Sequence, residues 1–159
     1  MTGTLKFVKT KRLLICLLAL TGLLSVVEAD EVMTELTVAK IRSVGSVSMS
    51  PDGRQIAYTL SVPRPVYADD DGGAWSELHL VDRTGRSRPF ITGKVNISSV
   101  EWTPDGKGIS FLAKRGEDKH KSLYVIAADG GEARKVLEHD TDIGGYSWRP
   151  DGQEVAFTA

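Results

Sequence analysis

The sequence predicts an all-β chain: an incomplete β-propeller of two full four-stranded blades plus the first hairpin of a third, preceded by a signal-peptide helix. Two observations predict the propeller. The tripeptide Pro-Asp-Gly occurs at 51–53, 104–106 and 150–152, at separations of 53 and 46 residues. Bulky side chains flank each copy at every second position, a pattern typical of a hairpin with one buried face. Further strand patterns follow each hairpin, and four short strands in roughly 45–50 residues are typical of a propeller blade.

Residues 1–29 have the organisation of a secretory signal peptide. Four basic residues at 6–12 precede an apolar run at 13–24. The sequence Val-Glu-Ala at 27–29 then provides a cleavage site that ends in the small residue Ala29. The run is shorter than the about 20 apolar residues that a transmembrane anchor needs. We therefore expect cleavage after Ala29, no stable membrane insertion afterwards, and a periplasmic or secreted protein. The only cysteine, Cys16, lies in this segment, so the mature chain would tolerate an oxidising compartment.

Residues 30–43 form a short lead-in that could be helical, because Val32, Leu36 and Ala39 would lie along one helix face. The partial propeller is predicted over residues 44–159. A long loop in its first blade contains two prolines and the Asp-Asp-Asp-Gly run at 69–72, a composition that indicates a solvated connection. The predicted blades are 44–93, 97–138 and a truncated 144–159.

Four bulky positions recur around each Pro-Asp-Gly turn, and we interpret them as blade core rather than as a ligand platform. Proline favours the first central position of a type I turn, and glycine adopts positive φ without steric cost. The glycine is therefore predicted to end a three-residue hairpin loop. The equivalent residues, in chain order, are Val47, Val100 and Tyr146; Met49, Trp102 and Trp148; Ile56, Ile109 and Val155; and Tyr58, Phe111 and Phe157.

Charge and cysteine content exclude several functions. The net charge is −1, divided as +3 over residues 1–29 and −4 over residues 30–159. A mildly acidic body without a Lys/Arg cluster is not expected to bind nucleic acid. A single cysteine excludes a disulfide framework and a multi-cysteine zinc site.

No catalytic, cofactor-binding or metal-binding residue is predicted. His79 is interpreted as a strand residue and His120 as a solvated residue of a hairpin tip. The His-Asp-Thr-Asp run at 139–142 lacks companion ligands at metal-binding spacing. The acidic run at 69–72 lacks the alternating ligands of a calcium loop, and its best functional interpretation is attraction of a peptide amino terminus. Ser147 lies in Gly-Tyr-Ser-Trp-Arg, which lacks the closing glycine of a nucleophile elbow.

Several segments together carry a family resemblance. They are Trp-x-Pro-Asp-Gly-Lys-x-Ile-x-Phe-Leu at 102–112, Ala-Lys-Arg-Gly at 113–116, Leu-Tyr-Val-Ile at 123–126 and Gly-Gly-Glu-Ala-Arg at 130–134. This run resembles the propeller repeats of the prolyl oligopeptidase family, in its acylaminoacyl-peptidase and dipeptidyl aminopeptidase branch. The segment at 48–58 is similar to the opening blade of that family. Non-catalytic TolB-like periplasmic propellers use the same Pro-Asp-Gly hairpin and are the alternative.

The resemblance implies an exported serine peptidase that hydrolyses short peptides. In that family the propeller screens access to an α/β-hydrolase domain, which holds a Ser-Asp-His triad that these 159 residues lack. Because a propeller needs about four to eight blades, we expect this chain to be the amino-terminal piece of a longer protein. A short protein that completes its ring by oligomerising would have to build its third unit from about fifteen residues, which we do not expect. The TolB-like alternative implies a scaffold that binds protein partners.

Overall fold

The computed structural model describes residues 33–65 and 68–159, and the predicted signal peptide lies outside them. The all-β prediction is confirmed: the strands of the described residues form antiparallel sheets of four, four and two strands. Within the same residues, no helix has the length and apolar character required to cross a bilayer.

A single helical turn, α1 (Glu35–Val38), precedes the first sheet. It closes with a hydrogen bond from Ala39 N to Glu35 O at 2.9 Å. Leu36 is 59% exposed, so the apolar face expected along this segment is not buried. A helix of one turn fixes few residues and offers too little surface for tertiary packing.

Each four-stranded sheet is a meander in which every strand pairs with the next one along the chain. The first blade contains β1 (Ser43–Met49), β2 (Gln55–Val62), β3 (Trp75–Asp82) and β4 (Ser87–Ile91). The second blade contains β5 (Ser98–Trp102), β6 (Gly108–Ala113), β7 (Ser122–Ala127) and β8 (Arg134–Leu137). The third sheet is the hairpin of β9 (Gly145–Trp148) and β10 (Val155–Thr158).

Register irregularities occur at corresponding places in the two complete blades. The pairing of the first and second strands shifts between Val44 and Val47 in one blade and between Ser98 and Glu101 in the other. Ser99, inside the second of these bulges, has φ of +51°. Bulges bend a strand and increase its twist, so a bend is expected at the same place in the first strand of each complete blade.

The three Pro-Asp-Gly turns have the same geometry. Gly53, Gly106 and Gly152 adopt φ of +65°, +69° and +71°, which confirms the prediction of a left-handed glycine. The predicted loop length was wrong, because four residues rather than three separate Ser50 from Gln55, whose carbonyl oxygen accepts the Ser50 N–H at 2.8 Å. The aspartate side chain explains the extra residue: in the first turn Asp52 Oδ1 accepts the Arg54 N–H at 3.0 Å and holds it out of the ladder.

The residue before each proline donates a hydrogen bond to the turn aspartate. Ser50 Oγ reaches Asp52 Oδ1 at 2.7 Å, and Thr103 Oγ1 reaches Asp105 Oδ1 at 2.7 Å. In the third turn, Arg149 Nε takes this role at 2.8 Å from Asp151 Oδ1. In each turn this bond is the largest influence lowering the pKa of the aspartate below its usual value.

The main hydrophobic core lies between the first two blades. Trp102 and Phe111 are 7% and 0% exposed, which confirms their interpretation as blade core. A smaller core of Leu112, Leu123 and Ile143 lies between the second blade and the third hairpin. The larger core contains Ala57, Leu78 and Leu80 from the first blade and Ile97, Val100, Trp102, Ile109, Phe111, Ala113, Tyr124 and Ile126 from the second blade and the connection before it.

Three residues depart from the predicted core: Val47 and Met49 are 60% and 63% exposed, and Phe157 is 40% exposed. Phe157 occupies the position of Phe111 in the repeat. Phe111 is stacked on Tyr124 of β7, with ring centroids 5.9 Å apart. The described third sheet has two strands and so offers Phe157 no such neighbour; the ring instead meets the edge of His139 at 5.7 Å.

Candidate functional site

The meander topology gives each blade two different ends. The connections β2–β3, β4–β5, β6–β7 and β8–β9 lie at one end, which we call the loop face. The tight turns, including all three Pro-Asp-Gly turns, lie at the other. His120, the run at 139–142 and the acidic run at 69–72 all belong to loop-face connections. The loop face is therefore the candidate functional surface.

Within the acidic run, Asp69 differs from its two neighbours. Its side chain is 9% exposed, forms an ion pair with Lys94, and accepts the Trp75 indole N–H at 3.2 Å. The hydrogen bond from Lys94 is the main cause that lowers the pKa of Asp69. Asp70 and Asp71 are exposed. The structure thus assigns Asp69 to holding the loop and leaves Asp70 and Asp71 as the carboxylates that face solvent.

Arg64 organises the described part of the same loop. Its Nε donates to Gly73 O and its Nη1 donates to Asp70 O, both at 2.9 Å. Its guanidinium lies over the Trp75 ring, 4.1 Å from the centroid, in a cation–π contact. The sequence suggested a solvated loop, and it gave no indication that an arginine would order the backbone.

His79 lies in β3 between the buried Leu78 and Leu80, in agreement with its interpretation as a strand residue. Its Nε2 is 3.1 Å from Glu77 Oε2, and the two side chains are 12% and 14% exposed. Glu77 Oε1 also accepts the Gly93 N–H at 2.9 Å. Burial would raise the pKa of Glu77, but these hydrogen bonds outweigh it and the pKa is lowered. The alternation of the strand residues gave no sign of this pair.

His120 and His139 lie in different connections of the loop face. His120 Nδ1 is 3.5 Å from Asp142 Oδ1, and its side chain is 42% exposed. His139 Nδ1 is 3.1 Å from Thr141 Oγ1. In the part of the chain that the structure describes, no group of three or more His, Cys, Asp or Glu side chains could hold a metal ion.

A buried carboxylate that sequence reasoning missed stabilises the loop face of the second blade. Asp118 is 6% exposed; it forms an ion pair with Lys135 and accepts the Tyr124 hydroxyl and the Arg115 N–H. Burial opposes ionisation of Asp118, but these hydrogen bonds prevail and lower its pKa. Burial, together with Asp118, raises the pKa of Tyr124 to about 12. From sequence alone, a charged residue in a polar loop is predicted to be exposed to solvent. No sequence pattern therefore indicated this network.

Ser147 lies inside β9 and pairs with Ala156 across the hairpin. A nucleophile elbow places its serine on a sharp turn between a strand and a helix. The environment of Ser147 is therefore that of a blade strand.

Among curated proteins, the chain is similar in sequence to peptidases. No family model matches it. It is 30% identical over 132 residues to dipeptidyl-peptidase 5 of Porphyromonas endodontalis, an alignment that covers 82% of this chain and 18% of that protein. The resemblance to the prolyl oligopeptidase family is confirmed. The uncharacterized peptidase YuxL of Bacillus subtilis is 30% identical over 108 residues, 68% of this chain and 16% of that peptidase. The chain thus spans less than a fifth of these two peptidase relatives.

Solved structures confirm the propeller fold. The β-propeller domain of the Trilobed protease from Pyrococcus furiosus superposes with a TM-score of 0.55 and 19% identity, over 74% of this chain and 34% of that one. TolB from Acinetobacter baumannii superposes with a TM-score of 0.52 and 21% identity, over 71% of this chain and 26% of that one. The described sheets of four, four and two strands are thus an incomplete propeller whose sequence is similar to peptidases.

Proposed function

We propose that this chain is the amino-terminal propeller segment of an exported serine peptidase that hydrolyses short peptides, and that the propeller screens access to an α/β-hydrolase domain. The similarity to dipeptidyl-peptidase 5 over 82% of the chain carries this proposal. The 132 aligned residues correspond to 18% of that relative, so we assign the chemistry to another part of the polypeptide. No cofactor is required for such hydrolysis, because the serine nucleophile and its histidine base supply the chemistry.

The loop face supports a role in admitting peptides. Asp70 and Asp71 are exposed within the loop that Arg64 orders through its contacts with the loop backbone and the Trp75 ring. Exposed carboxylates attract the ammonium group of a peptide amino terminus over roughly a Debye length of 8–10 Å. We therefore assign to Asp70 and Asp71 the capture of short peptides by their amino terminus, while the blades exclude folded proteins by size.

The decisive experiment compares the complete gene product with residues 1–159. We expect the complete product to contain a Gly-x-Ser-x-Gly segment and to release dipeptides from dipeptidyl p-nitroanilides. Replacing the serine of that segment by alanine is the matched control and should abolish release. Residues 1–159 alone should be inactive. Serine-inhibitor-sensitive hydrolysis by residues 1–159, or a complete product without any hydrolase domain, contradicts the proposal.

A non-catalytic scaffold similar to TolB is the second candidate, favoured by the TM-score of 0.52 to the Acinetobacter baumannii protein. That likeness, at 21% identity, concerns the fold alone. The 30% identity to two peptidases favours the first candidate. A scaffold requires a continuation made only of further Pro-Asp-Gly blades, so the same gene sequence distinguishes the two.

Export is the remaining part of the proposal. It rests on the basic segment at 6–12, the apolar run at 13–24 and the small residue Ala29. We expect the protein isolated from the periplasm or the medium to begin at Asp30. Mass spectrometry of its amino-terminal peptide tests this, and Ala29→Arg is the variant that should block cleavage. A mature protein that retains Met1 contradicts cleavage.

A further inference from the structure

In both complete blades, an arginine of the connection after the second strand lies over an aromatic ring of the third strand. Arg64 is 4.1 Å from the ring centroid of Trp75, and Arg115 is 5.4 Å from that of Tyr124. The two arginines differ in their hydrogen bonds. Arg64 donates from Nε and Nη1 to backbone carbonyl oxygens of its own loop, both at 2.9 Å. The guanidinium of Arg115 forms no hydrogen bond and no ion pair with any described residue.

One nitrogen of the Arg115 guanidinium is buried without a partner. Nη1 is shielded from solvent, and no described residue offers it an acceptor. An unsatisfied donor on a charged group is unfavourable in a protein interior. Arg115 as a whole is only partly buried, so a ligand can reach the guanidinium. The β6–β7 connection therefore presents a cation with unused donors on the loop face.

The carboxylate that contacts Arg115 is already occupied. Asp118 Oδ2 accepts the backbone N–H of Arg115 at 3.1 Å and also the Tyr124 hydroxyl. Its other oxygen, Oδ1, forms the ion pair with Lys135. Asp118 therefore fixes the backbone of Arg115 and leaves the charge of the Arg115 side chain uncompensated.

The two connections that carry these arginines have opposite net charges. Residues 63–74 of the first blade contain one arginine and three aspartates, a net charge of −2. Residues 114–121 of the second blade contain four Lys/Arg and two Asp/Glu, a net charge of +2 with neutral histidine. A short peptide likewise carries a positive charge at its amino terminus and a negative charge at its carboxyl terminus. The loop face thus has an acidic and a basic region that match the two ends of such a ligand.

We propose that Arg115 binds a carboxylate of a short peptide, with Nη1 and Nη2 each donating to one carboxylate oxygen. Guanidinium and carboxylate groups match in geometry, and the resulting paired hydrogen bonds are charge-assisted. The proposal rests on the proposed function, because its ligand is a peptide. It adds a second point of recognition to the capture of the amino terminus by Asp70 and Asp71. The carboxylate comes from the carboxyl terminus or from an acidic side chain of the peptide.

Calorimetric titration of the complete gene product tests this site without relying on hydrolysis. The serine of a Gly-x-Ser-x-Gly segment, where the product has one, is replaced by alanine so that the peptides stay intact. The probes are tetra-alanine, its carboxyl-terminal amide, and Ala-Ala-Glu-Ala amide, which carries its carboxylate on a side chain. Arg115→Gln removes the guanidinium. Lys114→Gln removes the same charge from the neighbouring exposed residue and is the matched control, and circular dichroism verifies that both variants fold.

We expect Arg115→Gln to weaken the binding of tetra-alanine by about tenfold or more, because hydrogen bonds to a charged group are lost. The affinity for the amide of tetra-alanine should not change. Lys114→Gln should have a much smaller effect on tetra-alanine, because an exposed charge is largely screened by solvent and salt. Binding of the glutamate-containing amide that depends on Arg115 also supports the site and assigns it to side-chain carboxylates.

Equal losses of affinity for tetra-alanine and its amide overturn the proposal, because Arg115 then pairs with a group of the protein itself. A parent protein that does not bind tetra-alanine overturns it as well. Hydrolysis of dipeptidyl p-nitroanilides, which lack a carboxylate, tests the peptidase function separately. A product that cleaves them but shows no dependence on Arg115 refutes only this site, whereas one that binds tetra-alanine through Arg115 without cleaving them refutes only the peptidase function.

Discussion

The indole Nε1 of Trp102 donates a hydrogen bond to the backbone carbonyl oxygen of Ser48, 3.1 Å away. The backbone N–H of Trp102 also donates to Ser48 Oγ at 3.2 Å. The two residues are 54 positions apart and lie on β1 and β5, the first strands of the two complete blades. Trp102 thus contributes both to the hydrophobic core and to hydrogen bonds between the first two blades.

Replacing Trp102 by phenylalanine separates these two contributions. Trp102→Phe retains an aromatic ring but leaves the Ser48 carbonyl without its indole donor, so the free energy of unfolding should fall by about 1–3 kcal/mol. Trp102→Ala also creates a cavity and should cost about 3–5 kcal/mol. Urea unfolding followed by circular dichroism measures both. An unchanged midpoint for Trp102→Phe would show that the hydrogen bond contributes nothing.

Gly106 offers a test of the Pro-Asp-Gly turn. Its φ is +69°, and an added Cβ would lie 3.6 Å from Pro51 Cδ, an ordinary contact. Gly106→Ala should therefore destabilise the protein through backbone strain alone, by about 1–2 kcal/mol.

Gly73→Ala is the matched control for this change. No atom lies within 4 Å of the Cβ it would carry. This change should leave the free energy of unfolding unchanged or raise it by up to about 1 kcal/mol, because alanine lowers the conformational entropy of the unfolded chain. Equal thermal midpoints for the two alanine variants would contradict the role of the left-handed glycine.

The blade architecture was predictable from sequence because its signals are local and repeated. The spacing of Pro51, Pro104 and Pro150 locates the hairpins, and alternation around them identifies the buried Trp102 and Phe111. The exposure of Phe157 was not predictable, since it depends on which strand lies beside β10 rather than on Phe157 itself.

The polar clusters were not predictable for a related reason. Asp118 and Lys135 are 17 residues apart on a loop and an outer strand, and no periodicity links them. Asp69 and Lys94 meet in the same way across a gap of 25 residues. Pairing of such charges depends on how connections fold back over a blade, which a single sequence does not encode in any local pattern.

Asp118 should make the free energy of unfolding depend on pH in the acidic range. Its pKa is lower in the folded chain than in the unfolded chain, so the ionised carboxylate adds stability that is present above its ordinary pKa and is lost as pH falls through the folded value. Asp118→Asn should be less stable than the parent at pH 7, and the difference should shrink below about pH 4. Thermal unfolding between pH 2 and pH 7 measures this, and a difference independent of pH contradicts it.

The exposed carboxylates of the acidic run lead to a prediction about substrate capture by the peptidase proposed above. The double variant Asp70→Asn/Asp71→Asn should raise KM for peptides with a free amino terminus and leave kcat unchanged. An exposed ion pair contributes about 0.2–1 kcal/mol, so the expected increase in KM is about 1.5- to 5-fold.

Amino-terminally acetylated peptides provide the control for this prediction, because they carry no ammonium group. Their KM should be the same in both proteins, and the effect on free peptides should weaken as salt is added. If the double variant changes the KM of both peptide classes equally, the acidic run does not recognise the amino terminus.

The side chain that donates a hydrogen bond to the turn aspartate differs among the three turns: it is Ser50, Thr103 or Arg149. This difference affects how each turn responds to salt. Two of the turns are closed by a neutral hydroxyl, although Arg54 lies 3.7 Å from Asp52 in the first of them, whereas the donor in the third turn, Arg149, is itself charged and forms an ion pair with Asp151 at 2.7 Å. Mobile ions weaken a contact between exposed full charges far more than a dipolar one. The three turns are therefore alike in shape, and we expect added salt to weaken the closing contact most in the third turn, where the donor is a full charge.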